Sequence, residues 1–145
     1  MTINELQEDI IATFDFFGDW MEKYEYIIDL GKNLELIDPQ YKTDDYLIKG
    51  CQSKVWLHAG VDNSGKVVFT ADSDAVITKG IIALLTQVLS HHTPAEVAQA
   101  DLYFIDKIGL KEHLSPTRSN GLLSMVKQMK LYGLALSAKA AEPEK

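Results

Sequence analysis

Cysteine is almost absent from this chain: one thiol, Cys51, in 145 residues. A single thiol cannot close an internal disulfide. Nor can it supply a multi-thiolate zinc or iron–sulfur site within one chain. Clustered basic residues are lacking too. The balance of 14 lysines and arginines against 21 acidic residues leaves a net charge of −7, which is no basis for gripping nucleic-acid phosphates. Long apolar runs are missing. The longest, Gly80 to Leu85, falls far short of the ~20 residues that span a bilayer. The opening MTINELQEDI has neither the basic start nor the apolar core of a signal peptide. These absences set the expectation of a cytoplasmic protein with a reduced thiol, bound to neither membrane nor nucleic acid. No Gly-rich phosphate loop, HExxH or GxSxG element is present, so no cofactor or metal is expected.

What is present is ordinary for a soluble globular protein: 46% apolar and 24% charged residues, in a length suited to one domain. That domain is expected over residues 1–136, with an Ala-, Pro- and charge-rich frayed tail over 137–145. Ile3, Leu6, Ile10, Phe14 and Phe17 recur at helical spacing, so a first helix is expected from Ile3 to Phe17. Asp19 is placed to cap a second, through about Leu36, before Asp38-Pro39 breaks it. Three strands are then expected, Tyr46–Gly50, Ser53–Ala59 and Lys66–Ala71, the last two joined by the turn formers Gly60 to Gly65. From Asp72 the period turns helical again. Ser73 or Asp74 can cap, Val76 to Val88 carry the apolar face, and His91-His92 close the last turn. Thr93-Pro94-Ala95-Glu96 is a capping box with proline at the first helical position. A segment from Leu102 to Ile108 ends at Gly109, and Ser115-Pro116 opens a last helix through Leu122, Met125, Met129 and Leu136. Segregated strands and helices predict an α+β fold: a small three-stranded antiparallel sheet with helices on one face.

The stretch YLIKGCQSKVW, Tyr46 to Trp56, holds the chemistry. Gly50 allows a tight bend beside Cys51. Lys49 and Lys54 are placed to favour the thiolate, the form that attacks other sulfurs. The competing reading makes Cys51 a small buried hydrophobe. His58 is the nearest histidine in sequence, which leaves a thiol-dependent enzyme with a Cys51–His58 pair as an alternative. His91 and His92 would point about 100° apart on a helix and so rarely share an ion. Asp72-Ser73-Asp74 reads as an acidic edge or as helix caps. Arg118 falls in the first turn of the last helix, where a cation opposes the helix dipole. An anion- or partner-binding arginine is the sharper reading of it. Capping explains neither Asn120 nor Gly121.

Four stretches, YIIDLGKNL (Tyr26 to Leu34), GCQSKVW (Gly50 to Trp56), ADSDAVITKGIIALL (Ala71 to Leu85) and LSPTRSNGL (Leu114 to Leu122), together resemble the SufE family of sulfur-acceptor proteins, which assist iron–sulfur cluster assembly. The resemblance implies the fold shared with IscU-type scaffolds. It implies that Cys51 takes sulfur from the persulfide of a pyridoxal-phosphate cysteine desulfurase, of the SufS or CsdA type, and stimulates that enzyme. The sulfur would pass to a SufBCD-type scaffold or, for a CsdE-like carrier, to a different recipient. Gly50, Asp74 and Arg118 would belong to the partner-binding surface. Lys79 stands where relatives commonly have arginine. The desulfurase's own lysine and cofactor have no counterpart, so the chain would be an accessory rather than the enzyme. Monomer and homodimer both stay open.

Overall fold

The computed structural model describes residues 1–140. Helix α1 spans Ile3–Phe16 and opens on a full capping box: Thr2 Oγ1 accepts the Glu5 N–H, and Glu5 accepts the Thr2 N–H, each at 3.0 Å. It buries Ile3, Ile10 and Phe14. Helix α2, Trp20–Lys32, is capped by Asp19 as its sequence predicts. It stops short of Leu36. From Leu34 the chain runs extended along the free edge of the sheet: Ile37 N–H donates to Ala71 O, and Ala71 N–H donates to Glu35 O. The edge offers the backbone a partner; Leu34 and Ile37 are buried and Leu36 faces solvent.

The sheet has two strands, not three. Strand β1, Val55–Val61, pairs antiparallel with β2, Val67–Ser73, with Leu57 opposite Ala71. Asp62 closes their hairpin, its Oδ1 accepting the N–H groups of Ser64 and Lys66. In place of the expected strand Tyr46–Gly50, a 3₁₀ turn at Asp44–Tyr46 leads into a short extended piece and a turn. Leu47 alone bridges to Trp56, with Ile48 N–H donating to Val55 O at 2.8 Å. The turn at Lys49-Gly50, where Gly50 has φ +92°, bends the chain away before a ladder can form.

The inner face of the sheet buries Val55, Leu57, Val67, Phe69 and Ala71 against helix α3, Val76–Leu89. Helix α2 lies on α3, and two glycines make the crossing possible. A Cβ on Gly80 would collide with Ile27 O, and one on Gly31 would stand 2.9 Å from Gly80 N. The cap of α3 is Ala75, without a side-chain bond. Ser73 Oγ accepts the Ala75 N–H one step earlier, and Asp74 is used elsewhere. His91 and His92 also lie outside this helix. It ends at Leu89, His91 turns with φ 67°, and the backbones of both histidines bond to Val67 at the start of β2.

Helix α4, Pro94–Gln99, has the predicted capping box. The stretch after it splits into α5, Phe104–Lys107, and α6, Leu110–His113, because Gly109 takes φ 72° between them. Helix α7, Pro116–Ala140, continues through residues 137–140, which the sequence suggests are frayed; the rest of that tail lies outside the described residues. It packs on α4 so closely that a Cβ on Gly133 would stand 2.8 Å from Ala98 N. Among the described residues no helix is long and apolar enough to cross a membrane.

Candidate functional site

The thiol is placed by two elements remote in sequence, the bend after Ile48 and the start of α7. Ile48 is buried and bonded to β1, so the bend is fixed at its base. Gly50 turns with φ +92°, and a Cβ there would meet Ser124 Oγ on α7 at 2.5 Å. The next residue, Cys51, then faces the helix. Its Sγ lies 3.6 Å from Gly121 O, and a Cβ on Gly121 would stand 3.5 Å from the sulfur. A small cleft of about 60 Å³ opens beside the thiol. Thr78 and Ile81 of α3 and Thr117, Arg118, Gly121 and Met125 of α7 line it.

Arg118 therefore does share the site with Cys51. It is exposed in the first turn of α7, and its backbone N–H donates to Ser115 Oγ. No salt bridge among the described residues involves it. The lysines do not act as their spacing suggests. Lys49 lines a separate groove with Lys127 and Tyr132, on the far side of the bend, and Lys54 is exposed. Burial alone pushes the Cys51 thiol above its ordinary pKa, so the resting group is held as a thiol. The one charged side chain that lines the cleft is Arg118, and the N-terminal turns of a long helix flank it.

Asp74 works from behind the loop. Its Oδ1 accepts the Lys54 N–H at 3.0 Å, and its own N–H donates to Lys54 O at 3.2 Å. These two bonds tie the segment after Cys51 to the end of β2. Asp72 bridges Lys42 (2.9 Å) and Lys79 (3.3 Å). Partial burial raises its pKa, but the hydrogen bonds from Lys42 and the Ser73 N–H, with the charge of Lys79, bring it below the usual carboxylate range. Lys79 thus serves this ion pair.

His58 is not part of the site. It lies on the outer face of β1, stacked on Tyr41 with ring centroids 3.8 Å apart, and no histidine lines the Cys51 cleft. Desolvation depresses its pKa, against a smaller opposing pull from Asp38. The Cys51–His58 pair is thereby excluded for this conformation. Among the described residues no group of His, Cys, Asp and Glu is arranged to hold a metal ion. Sequence reasoning missed Thr78, Thr117, Ser124 and Met125. For Ser124 no sequence signal exists, since its role is steric contact with a glycine 74 residues away.

One half-buried thiol is thus seated between a glycine bend and the start of a long helix in an α+β domain. The SufE family, described as an Fe–S metabolism associated domain, matches residues 8–132, and the chain belongs to that family. It is 40% identical over 135 residues to SufE-like protein 1, chloroplastic/mitochondrial, of Arabidopsis thaliana. The match takes in 93% of this chain and 36% of that protein, so the chain spans about a third of the length of this relative. The solution structure of a hypothetical protein from Thermus thermophilus has the same fold: TM-score 0.77 at 18% identity, over 92% of this chain and 96% of that one.

Proposed function

We propose that this chain is a sulfur acceptor and carrier in iron–sulfur cluster assembly, with Cys51 as the acceptor. The observation that carries the reading is the placement of the chain's one cysteine, half-buried, in a cleft that also holds Arg118. In the transfer, the Cys51 thiolate attacks the outer sulfur of a persulfide on a pyridoxal-phosphate cysteine desulfurase of the SufS or CsdA type. A new S–S bond forms to Cys51, and the bond to the desulfurase sulfur breaks. That sulfur leaves as a thiolate, and the proton first lost by Cys51 balances it. Removing the persulfide frees the desulfurase for its next turnover, which is how an accessory stimulates an enzyme without being one.

A sole thiol suits a carrier. A second nearby thiol would attack the persulfide and release its sulfur as sulfide, leaving a disulfide. The cleft is small, about 60 Å³, and in this reading residues 50–53 lift outward to meet the donor. Glycine at the base of that segment permits the change. In this reading Arg118 and Asp74 border the donor's docking surface. The sulfur then passes to a SufBCD-type scaffold.

The test is the intact mass of the protein after incubation with a cognate desulfurase and L-cysteine, without reductant. The expected result is a gain of one or more sulfur atoms, reversed by a thiol reductant and absent in Cys51→Ser. An unchanged mass with a demonstrably active desulfurase refutes the proposal.

A further inference from the structure

Helix α7 carries exposed leucines on the face turned away from the core. Successive residues rotate by about 100° around a helix, which sets Gly121, Leu122, Met125 and Met129 on the buried side. Leu123, Lys127, Lys130 and Leu134 fall on the opposite side. There Leu123, Leu131 and Leu134 are 48%, 46% and 59% exposed. Together with Ala98 of α4 they line a shallow groove of about 380 Å³. A helix that only covered a core would carry polar residues on this face. The repeat Leu123, Lys127, Lys130, Leu134 instead has the spacing of a helix-packing seam.

The charge on the seam says what fits. Lys127 and Lys130 stand at its centre, and no salt bridge among the described residues involves either one. Lys127 also borders the groove that contains Lys49. A local basic strip therefore lies on a chain of net charge −7. A second copy laid antiparallel on this seam would set lysine against lysine, an arrangement that disfavours pairing. An amphipathic helix with leucine-type residues inward and carboxylates on its flanks satisfies both the apolar and the charged parts.

We propose that the outward face of α7 is a second docking surface, for an acidic amphipathic helix of another protein. It faces away from the thiol cleft, so a partner held there leaves Cys51 free to exchange sulfur. Docking at this face is independent of whether Cys51 carries sulfur.

The probe is a labelled synthetic helix of about three heptads, with leucine at the seam positions and glutamate on the flanks. Its control has lysine for glutamate. Fluorescence anisotropy measures binding to the full chain, and amide chemical shifts locate it. The acidic peptide should bind and the basic one should not, the reverse of what the net charge favours. Shifts should map to Leu123, Leu131 and Leu134. The double variant Lys127→Glu, Lys130→Glu should weaken the acidic peptide by about tenfold or more, with an unchanged melting profile and unchanged Cys51 alkylation. Four results would each overturn the proposal. These are no binding, equal or tighter binding of the basic peptide, shifts confined to another surface, and self-association that Leu134→Asn abolishes. The last would identify a second copy as the occupant.

Discussion

Cys51 Sγ and Gly121 meet across 70 residues of sequence, the sulfur 3.6 Å from the glycine's carbonyl oxygen. A Cβ on Gly121 would stand 3.5 Å from that sulfur, an ordinary contact. Gly121→Ala should therefore be accommodated. It should stabilise α7 by about 1 kcal/mol, the usual gain over glycine inside a helix. Gly121→Val adds methyl groups where a persulfide's outer sulfur would go. The expected outcome is a raised melting temperature for the alanine variant and, in the desulfurase mass assay, reduced sulfur loading for the valine variant. Full loading of Gly121→Val would show that the cleft does not receive the sulfur.

Gly50 is constrained twice, by φ +92° and by Ser124 Oγ at 2.5 Å from its virtual Cβ. Gly50→Ala should cost about 1–3 kcal/mol. Adding Ser124→Ala removes the clash but not the backbone strain, so it should restore only part of the loss. Urea denaturation of the two single variants and the double variant checks this. Additive losses would mean that the two residues do not meet.

Asp74 ties down the loop through Lys54. Asp74→Ala leaves the Lys54 N–H without this acceptor and should cost about 0.5–1.5 kcal/mol. It should also speed alkylation of Cys51 by iodoacetamide, because the loop opens more often. Asp74→Asn, which keeps an acceptor oxygen, should stay near the parent rate. Equal rates for all three proteins would place the restraint on the loop elsewhere.

The thiol supplies a pH dependence. Burial raises the Cys51 pKa in the folded chain above its unfolded value. The folded protein thus holds this proton more tightly, and the resulting stability is fully present below the unfolded thiol pKa of about 8.5. It is lost as pH rises through the folded value. The stability difference between the parent and Cys51→Ala should shrink over that alkaline range. The rate of iodoacetamide alkylation should rise with an apparent pKa above about 8.5. A midpoint near neutrality would mean that Arg118 already activates the resting thiol.

Much of this molecule was legible in one dimension because the relevant physics is local. The capping box at Thr93, the Asp19 cap and the proline starts of α4 and α7 are satisfied within one helical turn. The missing third strand was not legible in this way. Tyr46 to Gly50 alternates like a strand, but a ladder needs several paired residues, and the turn at Gly50 leaves only Leu47 and Ile48 to pair.

Residue identity and short-range spacing were enough for the family, the single thiol, the α+β class and most helix starts. Which charged residue shares the thiol's cleft was settled only when the chain folded. Lys49 and Lys54 are near Cys51 along the chain, yet the bend turns one to another groove and the other to solvent. Arg118, 67 residues on, shares the cleft because α7 packs its first turns against the bend. Proximity in space follows from how glycine lets two backbones approach, and no spacing rule within one segment contains that information.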